Sequence, residues 1–217
     1  MKPAHETREQ LLDTAENLFL AHGLDEVSLR TIVREAGQRN QSALQYHFGS
    51  RDGLIAAILN RRMQHLEARR RVLVDEALAK NPSPDLREVC GLLARAPFLL
   101  CREQKAFRDF LGQFGQRLLA SDRDTTFAVD GQVLPSLTEM RAVIRQHLKH
   151  LEPELLLLRV ENAYSLALLA ISRRARSGGS FRGRRAELFF NNLVDQVAAM
   201  LAAPVSDATH TLLDVDE

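Results

Sequence analysis

An all-α fold follows from three features of this chain. Between Ser28 and Arg51 the segment SLRTIVREAGQRNQSALQYHFGSR reads as two short helices joined by a tight turn, with a third starting at once. Apolar residues recur at helical spacing through most of the remainder. Gly23, Gly37, Pro82, Pro84, Pro97 and Pro153 then cut these stripes into separate helices. With 217 residues, 45% of them apolar, the chain is long enough for one or two small domains and apolar enough for a sizeable core.

Taken in order, Thr7 and Gln10 have capping-box spacing, and Leu11, Leu12, Ala15, Leu18 and Phe19 follow as an apolar stripe. They predict a helix from Arg8 to His22 that ends at Gly23 and supports the next two. Arg8 fits a phosphate contact or a solvated charge equally well. Ser28 supplies a hydroxyl to cap the second helix, which buries Leu29, Ile32, Val33 and Ala36. Gly37 stops it, because glycine takes the left-handed conformation that a helix C-terminus favours.

The third helix is expected over Gln41 to Phe48. On a helical wheel Leu44 and Phe48 share one face, Ser42 and Tyr46 lie opposite, and Gln45 sits on a flank. Apolar groups would seat such a helix while amides and hydroxyls face base edges in a major groove. From Arg30 to Arg51 the chain holds Arg30, Arg34, Arg39 and Arg51 against Glu35 alone, four charges less one, or +3. That charge lies where phosphates would lie.

A capped amphipathic helix, then SLRTIVREAG, then YHFGSRDGL running into a long helix, resembles the DNA-binding domain of the TetR family of bacterial transcriptional regulators over about Thr7 to Ile58. The resemblance implies a three-helix helix-turn-helix DNA-binding domain over residues 1–55 and a helical ligand-binding and dimerisation domain over 56–203; residues 204–217, acidic and with little periodicity, read as a flexible tail. It implies double-stranded DNA as partner, with Arg30 and Gln41 approaching base edges and Gln45, His47 and Arg51 holding phosphates. Tyr46, in the groove-facing arc with Ser42, could do either, and Ser28 and Thr31 would meet the DNA strand. It also implies a homodimer through the last two large helices, and a small hydrophobic or amphipathic effector.

Beyond Ser50, which caps the fourth helix, Leu54, Ile55, Ile58, Leu59 and Leu66 carry an apolar side toward Leu78. Arg69, Arg70 and Arg71 read best as a solvated face. After the Asn81–Pro84 break come a short helix over Asp85 to Ala96, stopped by Pro97, and another from Phe98 to Leu119 whose continuity Gly112 and Gly115 put in question. Phe107, Phe110 and Phe114 share one face of it, as core or as the wall of a ligand cavity with Tyr164, in which case Arg102 or His147 would be the polar anchor. Ser121 to Gly131 reads as a loop. Pro135 to Leu151 is expected as a helix carrying His147 and His150, which sit three apart and could share a metal but have no third ligand evident nearby. Glu154 to Arg176 and Arg184 to Ala203 form an antiparallel pair with more apolar surface than one core needs, which suits a second subunit. The Gly/Ser/Arg-rich connection between them reads as a solvated turn.

The net charge of +1 says little about partners, since a DNA binder needs only a basic docking surface. Cys90 and Cys101 fit no metal spacing and suit buried structural roles in a reducing cytoplasm. MKPAHETREQ has no apolar core of a signal peptide, and the apolar stretch Leu155 to Ile171 is broken by Arg159, Glu161 and Asn162, as in a buried helix rather than a membrane span. GxSxG, CxxC, HExxH and P-loop motifs are absent, so an enzyme is not expected, and no cofactor or metal either. The competing reading is a ligand-independent architectural DNA-binding protein.

Overall fold

Capped amphipathic stripes become helices nearly everywhere the spacing predicts them. The computed structural model describes residues 4–38, 40, 42–120, 128–129 and 132–213. Within them lie α1 (Ala4–His22), α2 (Leu29–Glu35), α3 (Ser42–Phe48), α4 (Arg51–Lys80), α5 (Leu86–Glu103), α6 (Lys105–Ala120), α7 (Pro135–His147), α8 (Pro153–Arg176), α9 (Arg184–Leu201) and α10 (Asp207–Leu213). A two-residue strand pair, β1 (Ala128–Val129) and β2 (Gln132–Val133), is antiparallel with Ala128 opposite Val133. The expected loop from Ser121 lies largely outside the described residues.

Contacts divide the chain into two units, Met1–His65 and Leu66–Glu217, so the division falls inside α4 and beyond the expected boundary at residue 55. An ion cluster ties this first part of α4 to α1. Glu16 of α1 is 2% exposed and accepts hydrogen bonds from both Arg61 and Arg62 of α4, while Asp13 takes a further bond from Arg61. Burial works against the Arg61 charge, but its hydrogen bonds to Glu16 and Asp13 outweigh it and hold the guanidinium above its ordinary value. The first turns of α4 therefore belong to the first unit, with Leu54, Ile55 and Ile58 in its core beside Leu11, Phe19 and Ile32.

In the second unit α8 packs against α5, α6 and α9. By length and composition α8 could also cross a membrane. Its buried side, including Val160, Tyr164, Leu168 and Ile171, is the centre of the unit. Cys90 and Cys101 are fully buried, and burial is the main cause that pushes each thiol up to about 12.

Several expectations are corrected. α1 begins at Ala4, so Thr7 lies inside the helix and does not cap it. Pro97 does not stop α5, which runs to Glu103. Ala96, Pro97 and Phe98 are all buried, and that packing offsets the hydrogen bond a proline cannot make. The break comes at Gln104, which is extended at φ −127° and ψ 110°. α7 ends at His147, before Leu151. Residues 207–213 of the expected tail form α10, which buries none of its side chains.

Gly112 and Gly115 leave α6 unbroken because they let α8 approach. A Cβ at Gly115 would sit 2.1 Å from the Ser172 hydroxyl, and one at Gly112 would sit 3.2 Å from the Arg176 backbone nitrogen. Across this crossing Ser172 Oγ donates to Leu111 O at 2.8 Å and Arg176 Nε donates to Gly112 O at 2.8 Å.

The arginine run on α4 is the largest correction. Arg70 is fully buried, not solvated. Its guanidinium donates to Glu67 at 2.8 Å and to the Tyr164 hydroxyl at 3.1 Å, while its Nε has no partner among the described residues. Arg69 pairs with Glu103, and Arg71 with Asp75 and Glu139. The connection from α8 to α9 is likewise anchored: Phe181 is 1% exposed, and Arg174 donates to Ser180 O while lying 4.5 Å from the Phe189 ring centroid.

Candidate nucleic-acid interface

Short helices need their ends satisfied, and α2 and α3 satisfy theirs with side chains. Ser28 is extended at φ −82° and ψ 153°, and its hydroxyl accepts the Thr31 N–H at 3.1 Å. The hydroxyls of Ser28 and Thr31 are hydrogen bonded at 2.9 Å. At the other end Gly37 has φ +68°, and the N–H groups of Gly37 and Gln38 return to Arg34 O and Val33 O.

α3 is started by Asn40, a residue the sequence reading passes over. Its side-chain oxygen accepts the Ser42 N–H at 2.9 Å and also the Ser42 hydroxyl. The signal was present, since asparagine is among the strongest helix-start residues. Gln41, like Arg39, lies outside the described residues.

The face of α3 is as the wheel predicts. Leu44 is 1% exposed and Tyr46 on the other side is 81% exposed. Ser42 and Gln45 are exposed with it, and His47 is half-buried with its ring edge-on to Tyr46 at 5.0 Å. Arg8 lies 5.4 Å from the Phe48 ring centroid and donates to Glu9, so it braces the end of α3. Gly53 was also missed: a Cβ there would sit 2.0 Å from Phe48 O, so the first turn of α4 can follow α3 closely only with glycine.

Charge is distributed less evenly than the count of +3 implies. Arg30 is exposed and its guanidinium makes no hydrogen bond or ion pair among the described residues. Arg34 is paired with Glu35 at 3.0 Å. Arg51, expected to hold a phosphate, is turned inward. It donates to Val27 O at 2.5 Å and to Leu24 O, and lies 5.2 Å from the Phe19 ring centroid. With its fork committed to two carbonyls, it braces the connection between α1 and α2.

The expected ligand residues fall in several places. Phe107, Phe110 and Phe114 are at most 1% exposed, with successive ring centroids 5.9 and 5.1 Å apart. Tyr164 is engaged by Arg70. Arg102 donates to Phe181 O at 2.8 Å, pairs with Glu187 and lies over Phe98, while His147 Nε2 lies 2.8 Å from Pro84 O. Both expected polar anchors are therefore occupied by structural contacts. Two clefts described in this unit, about 640 and 440 Å³, are lined by none of the six. No group of three metal-ligating side chains occurs among the described residues.

Residues 11–58 match the family model of bacterial regulatory proteins of the tetR family. Over 64 residues, 30% of the chain, the sequence is 34% identical to the HTH-type transcriptional regulator SrpR of Pseudomonas putida, covering 30% of that protein. It is also 34% identical over 64 residues to the uncharacterized HTH-type transcriptional regulator TtgW of Pseudomonas putida, covering 47% of it. The matched segment thus spans under half the length of these relatives. The whole fold is similar to a tetR-family transcriptional regulator from Streptomyces coelicolor, with a TM-score of 0.56 and 24% identity over 98% of this chain and 88% of that one. It is also similar to RolR solved with resorcinol, with a TM-score of 0.52 and 17% identity over 94% of this chain and 97% of that one. The segment 11–58 therefore matches the DNA-binding domain of the tetR family of bacterial regulatory proteins, and the fold of the described residues is similar to that of solved regulators of that family.

Proposed function

We propose that the protein is a transcriptional regulator that binds a near-palindromic operator as a two-fold dimer. The observation that carries this reading is the face of α3. Tyr46, Gln45 and Ser42 stand exposed on a helix seated by Leu44, and the guanidinium of Arg30 on the neighbouring α2 is unpaired among the described residues. Polar groups held on a braced helix can meet base edges, and the arginine can take a guanine edge or a phosphate.

Dimerisation through α8 and α9 is supported by apolar side chains that the unit leaves uncovered. Leu158 and Leu169 on α8 are 50% and 42% exposed, and Leu188 on α9 is 69% exposed. A second copy covering them would present α3 twice. Release by a small hydrophobic or amphipathic effector is part of the proposal, with Phe107, Phe110, Phe114 and Tyr164 as the candidate apolar lining. RolR, a structural neighbour, was solved with such a molecule, resorcinol. An effector acts only by binding one arrangement of the paired recognition helices better than the other.

The test is selection of duplexes from a random pool, followed by titration of selected and random DNA over a range of salt. A regulator prefers its selected site by roughly a thousandfold or more. An architectural protein shows a small ratio, and a chain that ignores both duplexes overturns the reading. Sedimentation of the complex must show two chains per site.

A further inference from the structure

A cleft of about 640 Å³ opens between the last turns of α4, the first turns of α5 and the side of α9. Its size is that of a small-molecule site. Gly91, inside α5 where glycine is a poorer helix former than alanine, is one of its lining residues. Packing does not demand it. A Cβ at Gly91 would meet only Val194 Cγ1, at an ordinary 4.0 Å, whereas Gly112 and Gly115 are forced by a close helix crossing. Gly91 leaves room in the cleft that a small residue would keep and a large one would fill, between apolar walls formed by Leu73, Leu92, Val194 and Phe190.

At the cleft's rim stands Arg95, exposed, its guanidinium 5.2 Å from the Phe190 ring centroid and without a carboxylate partner among the described residues. The other charges lining the cleft are spoken for or offset. Arg87 is held by Asp195 and Asn191. Glu88 closes the α5 capping box and receives Asn81. Glu76 and Lys80, one turn apart on α4, oppose each other in sign. One uncompensated planar cation on an aromatic ring, beside an apolar hollow, is the recognition chemistry of an amphipathic acid.

We propose that this cleft binds small aromatic anions, the acid on the guanidinium fork of Arg95 and the ring system over Gly91 against Leu92 and Val194. The site stands independently of the DNA-binding reading.

Anilinonaphthalene sulfonate, an aromatic anion whose emission rises in apolar surroundings, tests it on the full chain. The wild-type protein should bind the probe saturably. R95E should weaken binding by about tenfold or more through charge reversal at a charge-assisted contact. G91L, which fills that room, should do the same, while G91A should bind as wild type. Should G91L fail to fold by circular dichroism, R95E alone decides. Unchanged binding by R95E overturns the proposal, as does absence of saturable binding to wild type. Loss of binding in A170R, in the cleft of about 440 Å³ lined by Leu166, Ala170, Arg173 and Phe189, with R95E unaffected also overturns it, because the probe then sits in that other cleft.

Discussion

Glu67 on α4 accepts two hydrogen bonds from Ser136 at the start of α7, one from its backbone N–H at 2.8 Å and one from its hydroxyl at 2.6 Å. Leu134, at the N-cap of α7, has no side chain able to do this. A carboxylate from another helix therefore completes the α7 N-terminus and complements its dipole. The same carboxylate neutralises Arg70, so four residues, Glu67, Arg70, Ser136 and Tyr164, form one polar knot inside the second unit.

Removing one charge from that knot leaves the other buried. E67A is expected to lower stability by about 3–5 kcal/mol, the cost of breaking one side of a buried pair. Replacing both with apolar residues, as E67L/R70M, should recover most of that loss. Urea unfolding of the three chains measures both effects. A double variant no more stable than E67A would show that the hydrogen bonds to Ser136 and Tyr164 outweigh the pairing.

Contacts with DNA and contacts within the fold should separate cleanly in the first unit. R30A and Y46A alter exposed side chains and should leave stability within about 0.5 kcal/mol of wild type. R30A should cost about 1–3 kcal/mol in operator binding and relax base preference at one position. R51K keeps the charge but cannot span two carbonyls, so it should lower stability by about 1–3 kcal/mol. Thermal melts beside binding titrations decide. R51K with an unchanged melt and weakened DNA binding would return Arg51 to the phosphate role.

The α6–α8 crossing tolerates no added methyl at Gly115. G115A places a Cβ 2.1 Å from Ser172 Oγ and 2.6 Å from its Cβ, so the helices must part. A loss of about 1–3 kcal/mol is expected, and S172G in the G115A background should restore part of it. Chemical denaturation midpoints report both.

Acid should weaken the protein partly through His65. Burial, and then the nearby Arg62 charge, hold this histidine below its ordinary value of 6.5. It stays neutral in the fold after the unfolded chain has taken up a proton. Its contribution is thus present above that ordinary value and is lost as pH falls through it toward the lower folded value. Unfolding midpoints at about pH 7.5 and about pH 5.5 should differ less in H65Q than in wild type. Equal differences would assign the acid sensitivity to other groups.

Local rules carried the sequence reading well wherever one helix decides its own fate. Ser28, Gly37 and the Leu44/Tyr46 division of α3 were legible because capping and periodicity are short-range. Pro97 and Gly115 misled for the same reason: their local penalties are offset by partners far along the chain, buried neighbours in one case and Ser172 in the other. Arg70 and Arg51 were the hardest. Nothing in a row of arginines tells which one finds Glu67 or which turns toward Leu24 and Val27, since the acceptors are distant side chains and loop carbonyls. The Arg95 cleft was invisible because three separate helices build it.

The brace from Arg51 to Leu24 and Val27, and the pairing of Glu16 with Arg61 and Arg62, determine how this molecule can be dissected. A fragment ending at residue 50 would lose the brace, and one ending at 55 would strand a buried carboxylate without either cation. The smallest head able to stand alone must therefore carry α4 through Arg62, borrowing its own foundation from the helix that leads out of it.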